Sequence, residues 1–224
     1  MSAKPGHKLR QAYRLLKPGM GLAIVITIVP GLLTGTDWPS LRLVLSTLIG
    51  TFLVATSSFI YNQIIEIERD RLMERTKDRP LSSGELSVAT AYGLATALLI
   101  AGLVVLYLMA HPLAMLYALA SFLIYVFPYT IWLKTSTPLN TVIGGLSGAV
   151  GPLIGEAAVR GTVGEQGWMM FLLLFIWQPA HFWVLAIRYR EDYARAGIRM
   201  LPVVHGIRRT YIETLIYQTA LLVL

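Results

Sequence analysis

YNQIIEIERDRLMERTKDRPL, residues 61–81, holds five of the chain's twelve acidic residues (Glu66, Glu68, Asp70, Glu74, Asp78) and five of its nineteen lysines and arginines (Arg69, Arg71, Arg75, Lys77, Arg79). An apolar run precedes it and another follows. Such a density of both signs beside apolar runs suits a divalent cation and a polyphosphate: carboxylates for the metal, cations for the remaining phosphate charge. Asn62, Glu66 and Asp70 fall at i, i+4 and i+8. On a regular helix they share one face, drifting by ~40° per step, while Glu68 points away. The plain alternative is a solvated helix end laced with i,i+4 pairs. Those pairs, Asp70 with Glu74 and Arg71 with Arg75, are like-charged and mildly destabilising.

Composition fixes the surroundings. Hydrophobic residues make up 55% of the 224 and charged residues only 14%, which suits a polytopic membrane protein rather than a soluble domain. There is no cysteine, hence neither a disulfide framework nor a thiolate metal site. The first twenty residues are basic, without the apolar core of a cleavable signal.

Apolar runs long enough to cross ~30 Å predict six complete spans at roughly 19–36, 41–61, 87–110, 112–133, 140–158 and 167–187. A seventh begins near 210 and reaches the last residue. Its fifteen or so apolar-leaning residues would cover ~22 Å, so the sequence reads as lacking further C-terminal helices. All spans should be helical, because a lipid-exposed backbone must satisfy its own hydrogen bonds. If the spans alternate, seventeen of the nineteen lysines and arginines fall on one side, and only Arg42 and Arg160 opposite. The positive-inside bias makes that side cytoplasmic, with the N-terminus and the charged loops. It also accounts for the +7 formal charge without nucleic acid as a partner. Span five is rich in small residues, which lets helices approach closely in lipid.

A second polar constellation ends span six. His181, Arg188 and Asp192 lie within about 20° of one helical line, with Gln178 one turn before His181. Ionisable residues at depth are functional candidates. Trp177, Trp183 and Tyr189 suit an interfacial belt or a stacking surface.

Three blocks carry a resemblance: YNQIIEIERDRLMERTKDRPLSSG at 61–84, YTIWLKTSTPLNTVIGGLSGAVGPLIGEAA at 129–158 and HFWVLAIRYREDYARAGIRMLPVV at 181–204. The first resembles the opening motif of UbiA-type intramembrane prenyltransferases. With the other two, the chain resembles the protoheme IX farnesyltransferases, or heme O synthases, within that superfamily. The resemblance implies an all-α transmembrane bundle of nine helices, about seven of them here, and one prenyltransferase domain over 1–224. The family usually has Asp where this chain has Glu66 and Glu68, Pro at Gly151 and Trp at Glu156; the last sits near the outer end of span five, an interfacial position.

The activity so implied joins the farnesyl group of farnesyl diphosphate to a vinyl group of heme b; water completes the hydroxyethylfarnesyl side chain and diphosphate leaves. Glu66, Asp70 and Asp192 would hold Mg2+, with Asn62 orienting or ligating. Arg75, Lys77, Arg79, Lys134 and Arg188 would take diphosphate oxygens. His181 would meet the heme, as iron ligand, as propionate partner or through a hydrogen bond. Heme A synthase or terminal-oxidase assembly proteins would be partners, within an inner membrane. Other readings stay open: a UbiA-type enzyme acting on a quinone precursor, a transporter gated at Asn62–Asp70, or a non-catalytic heme-binding protein.

Overall fold

The computed structural model describes residues 5–224; Lys4, counted above among the basic tail, lies outside them. Every regular element among these residues is helical. In order they are α1 (Pro5–Leu16), α2 (Pro18–Leu32), α3 (Leu41–Ile65), the short α4 (Ile67–Arg71), α5 (Val88–Ala110), α6 (Pro112–Ser136), α7 (Asn140–Arg160), α8 (Glu165–Arg188), α9 (Arg190–Arg195), α10 (Leu201–Val204) and α11 (Gly206–Val223).

Five of these, α3 and α5 to α8, are long and apolar enough to cross a bilayer. Leu9–Leu16 with Pro18–Leu32 makes a sixth candidate, bent by 40° at Lys17. α11 has helical length, but Arg208, Arg209 and Glu213 dilute its apolarity, and it does not join the five. The basic N-terminal stretch, which has no apolar run of its own, is the amphipathic helix α1.

Local chemistry sets the boundaries. The Ser40 and Ser87 hydroxyls accept the backbone N–H groups of Leu43 (3.2 Å) and Thr90 (3.1 Å), capping α3 and α5. Pro112 opens α6, where the N–H that proline lacks is not needed. Gly161, at φ 68°, closes α7 in the left-handed conformation glycine favours. Around Pro128, the wall of α6 widens into a π-helical stretch over Tyr125–Leu133. Such widening accommodates a residue that cannot donate its N–H.

Small residues join the bundle. A β-carbon on Gly31 would collide with the Pro152 carbonyl, and one on Gly155 with that of Ile28, so α2 and α7 touch backbone to backbone. Gly50 of α3 and Gly102 of α5 meet in the same way, and the Ser57 hydroxyl donates to the Ala95 carbonyl at 2.7 Å. In lipid, where apolar burial between helices gains little, this close packing supplies the cohesion. Glu156, expected at the interface, is fully buried instead. Closure of α2 and the start of α8 over α7 encloses it, with Arg160 as ion-pair partner at 3.4 Å.

The charged connections gather at one end. Arg14 donates to the Asp78 carbonyl (2.8 Å), Asn140 to that of Arg199 (2.9 Å), and the Arg199 N–H to that of Lys134 (2.8 Å). Arg42 and Arg160 lie at the first turn of α3 and the last of α7, the far ends of those helices.

Candidate active site

A cavity of about 530 Å³ opens among α2, α3, α6, α7 and α8. Its body is apolar and hydroxylated, with Val54, Phe59, Phe122, Ile154, Thr51 and Ser147 in the wall. At its charged end stand Lys17, Asn62, Glu66, Asp70, Arg75, Arg79 and Lys134.

The helix that carries Asn62 and Glu66 is interrupted at Glu66 (φ −100°, ψ 12°), so the face of three does not lie on one regular helix. It survives because the bonds that link the three are kept: Glu66 N–H to the Asn62 carbonyl (3.0 Å) and Asp70 N–H to that of Glu66 (2.8 Å). All three side chains are buried and line the cavity. Glu68 points outward and pairs with Arg71 at 2.7 Å. The solvated side of the stretch thus carries i,i+3 pairs of opposite sign, with Lys77 to Glu74 as the second.

Each buried carboxylate has a cation. Lys134 Nζ donates to both Glu66 oxygens, at 2.8 and 2.7 Å, and the Asn62 amide donates to one of them at 2.7 Å. Asn62 also donates to Thr130 (3.2 Å), whose hydroxyl donates in turn to the Tyr125 carbonyl (2.8 Å) inside the widened stretch of α6. Arg79 donates to Asp70 Oδ2 at 2.6 Å. Burial pushes the Asp70 carboxyl up from its ordinary value, against the opposing pull of Arg79. Asp70 Oδ1 is buried and takes no hydrogen bond among the described residues. A charged oxygen so placed is costly unless a ligand completes it.

The chain's second half closes over the first. Asp192 accepts the backbone N–H groups of Glu74 (3.4 Å) and Arg75 (3.5 Å) and pairs with Arg195. Arg75 donates to the Tyr193 hydroxyl at 2.9 Å and lies over the rings of Tyr189 and Tyr193. Burial pushes the Tyr193 phenol up, so it stays neutral. Asp192 therefore shapes the loop that presents Arg75, and does not itself line the cavity.

Two of the cations expected to take phosphate stand elsewhere. Lys77 is exposed, held by Glu74, which pushes its ammonium pKa up. Arg188 is exposed over the Tyr189 ring at 5.7 Å, because α8 ends there and the chain bends at Tyr189 before Asp192. The line from His181 through Arg188 to Asp192 is broken at that bend. His181 itself faces the cavity, its imidazole stacked on Trp177 at 4.6 Å and 14°.

Lys17 was counted above only among the tail's charges. It lines the cavity in a left-handed backbone conformation (φ 47°, ψ 54°), and among the described residues no other non-glycine residue has positive φ. Strain of that kind persists only where surroundings over-determine it. Its sole sequence signal is its place before Pro18, which disfavours helix continuation. Tyr125, Tyr129, Thr130 and Tyr193 also escape a linear reading, being ordinary helix residues until the fold turns them inward.

A bundle of apolar helices with an ion-paired mouth over an oily chamber suits a membrane enzyme that handles a charged headgroup on a long apolar chain. The UbiA prenyltransferase family pattern matches residues 23–224, and the chain belongs to that family. Among curated relatives, it is 47% identical over 208 residues to the protoheme IX farnesyltransferase of Leptospira biflexa, covering 92% of this chain and 73% of that one. It is 41% identical to that of Alcanivorax borkumensis, covering 95% and 71%. Among solved structures, a UbiA homologue from Archaeoglobus fulgidus bound to GPP and Mg2+ superposes with a TM-score of 0.82 at 20% identity, over 95% of this chain and 75% of that one. A UbiA homologue from Aeropyrum pernix without ligand gives 0.75 at 19% identity. At these identities the superpositions speak to the fold alone.

Proposed function

We infer that this chain is a multi-pass membrane prenyltransferase that moves the farnesyl group of farnesyl diphosphate to a vinyl carbon of heme b, giving heme O. The observation that carries the reading is the pair of buried carboxylate–cation contacts, Glu66–Lys134 and Asp70–Arg79, at the mouth of an apolar cavity. The 41–47% identity to protoheme IX farnesyltransferases supports heme over a quinone precursor as acceptor.

The residues divide the work. Lys134 and Arg79 neutralise Glu66 and Asp70 while no substrate is bound. When the diphosphate arrives, they swing to its oxygens, joined by Arg75 and Lys17. Donors aimed at the departing group stabilise the charge that develops as the allylic C–O bond breaks. Mg2+ fits this end: the freed Glu66 and the unpartnered Asp70 oxygen would hold it, and Mg2+ commonly takes one or two carboxylates with substrate phosphates supplying the rest. When bound, it would add charge stabilisation to the leaving diphosphate. Asn62 holds the Glu66 carboxylate in place. Asp192 belongs with this machinery through the loop it fixes rather than as a ligand.

The apolar chamber takes the farnesyl chain and keeps water from the allylic cation until transfer. The Trp177–His181 stack offers the porphyrin a flat aromatic wall. The skew of seventeen among nineteen cations to one side supports a cytoplasmic mouth, which fits an inner membrane. Heme A synthase or terminal-oxidase assembly proteins, which would receive the product, are proposed partners.

The test is turnover in membranes carrying the protein, with heme b, farnesyl diphosphate and Mg2+, read by product mass. Asp70→Ala should abolish product while the protein stays membrane-inserted. Product at the unaltered rate would refute the site.

A further inference from the structure

We propose that Gln178 and His181 hold, and His181 deprotonates, the water that completes the reaction. The proposal rests on the farnesyl-transfer reading above.

The chemistry creates the need. As the C1–O bond of farnesyl diphosphate breaks, its electron pair leaves with the diphosphate. The vinyl π pair of the porphyrin then forms the new C–C bond to C1. The inner vinyl carbon is left cationic. It becomes a hydroxyethyl carbon when a water oxygen donates a lone pair to it and one water proton departs. The same chamber that must exclude water from the first cation must therefore deliver one molecule to the second. A water held in an apolar site needs two or more polar partners, and its proton needs a base.

The cavity offers few groups for this. The carboxylates Glu66 and Asp70 stand at the mouth, paired with Lys134 and Arg79 before substrate arrives and engaged with the Mg2+ they would hold afterwards. The Ser121 and Ser147 hydroxyls donate to the carbonyls of Ser147 (2.8 Å) and Gly144 (2.7 Å). The Thr51 hydroxyl is unpartnered but cannot take a proton near neutral pH. Gln178 and His181, one helical turn apart on α8, both face the cavity, and neither side chain hydrogen-bonds to protein among the described residues. The Gln178 amide lies over Gly148 of α7, where the missing β-carbon leaves it room. The His181 ring stacks on that of Trp177. The His181 imidazole nitrogen is a side-chain acceptor that can take this proton.

The experiment compares the unaltered protein with Gln178→Leu and His181→Phe in the same membranes, reading prenylated porphyrins by mass. Without a held water, the porphyrin cation sheds a proton and gives an unsaturated product lighter by one water. Both variants should form it, with the hydrated fraction of the prenylated porphyrin down at least tenfold. An unchanged hydrated fraction in both variants would overturn the proposal. So would loss of both products, which would place the pair in the transfer step, or a shifted bound-heme spectrum in His181→Phe, which would mark an iron ligand. If the unaltered protein yields no prenylated porphyrin, it is the farnesyl-transfer reading that falls.

Discussion

Replacing Lys134 by Met tests the mouth of the cavity most directly. The ammonium gives two hydrogen bonds to Glu66, and the two side chains are only 10% and 4% exposed. The variant leaves a buried carboxylate with the Asn62 amide at 2.7 Å and Arg69 at 3.9 Å. Removing one partner of a buried pair costs ~3–5 kcal/mol. The variant has one escape, which is to protonate Glu66. From a reference carboxyl value near 4.3, that costs roughly 3.7 kcal/mol at pH 7 and about 1 kcal/mol at pH 5. The folded variant then holds a proton that the unfolded chain has released, so its stability falls as pH rises above ~4.3 and recovers on acidification. The expected loss is thus about 3–4 kcal/mol at pH 7 and ~1 kcal/mol at pH 5. Adding Glu66→Gln removes the stranded charge and should restore all but ~1 kcal/mol. Both variants should lose turnover. Unfolding free energies from SDS titration in mixed micelles, at the two pH values, give the answer. A single variant as stable as the parent at pH 7, or a double variant no better than the single, would refute a buried, mutually dependent pair.

Arg79→Ala should lower kcat by roughly 10²–10³, the cost of removing one donor to a departing oxyanion. Lys77→Ala and Arg188→Ala should leave kcat and KM within about threefold, since neither side chain reaches the cavity; steady-state rates across the three variants check the division. Gly155→Leu should drive α2 from α7 and cost ~1–3 kcal/mol or more, seen as a lower midpoint in the same SDS titration, while Gly84→Ala, in open space but at φ 77°, should cost less. In chelator, Asp70 should make stability decline as pH rises from its ordinary 3.8 through its raised folded value, because the folded state keeps the proton longer than the unfolded one. Asp70→Asn should flatten that segment of the stability–pH curve.

How much of this was legible in the sequence depended on how far each inference had to reach. The helices were legible because lipid leaves the backbone no alternative, and the ends of the apolar runs fall close to Ser40, Ser87, Pro112 and Gly161, whose effect on the backbone reaches only a few residues. The Asn62–Glu66–Asp70 face was legible for the same reason: two i,i−4 bonds carry it across the interruption. The line from His181 to Asp192 spans eleven residues, and the bend at Tyr189 redirects its far end, leaving Arg188 outside and Asp192 under the neighbouring loop. The pairing of the charges was beyond reach altogether. Lys134 meets Glu66 across 68 positions, and Asp192 meets Glu74 across 118. A stretch rich in both signs can satisfy itself locally, as Glu68 does with Arg71, or export its carboxylates to partners elsewhere. Burial decides between these outcomes. An exposed pair is worth little and forms with whatever stands one turn away, whereas a buried carboxylate must find a cation, one turn away as Glu156 and Asp192 do in Arg160 and Arg195, or on any segment the fold brings near. Within residues 61–81 the tight local pairs, Glu68–Arg71 and Glu74–Lys77, are the exposed ones, while Glu66 and Asp70, the two carboxylates that line the cavity, reach beyond their own helical turn to Lys134 and Arg79.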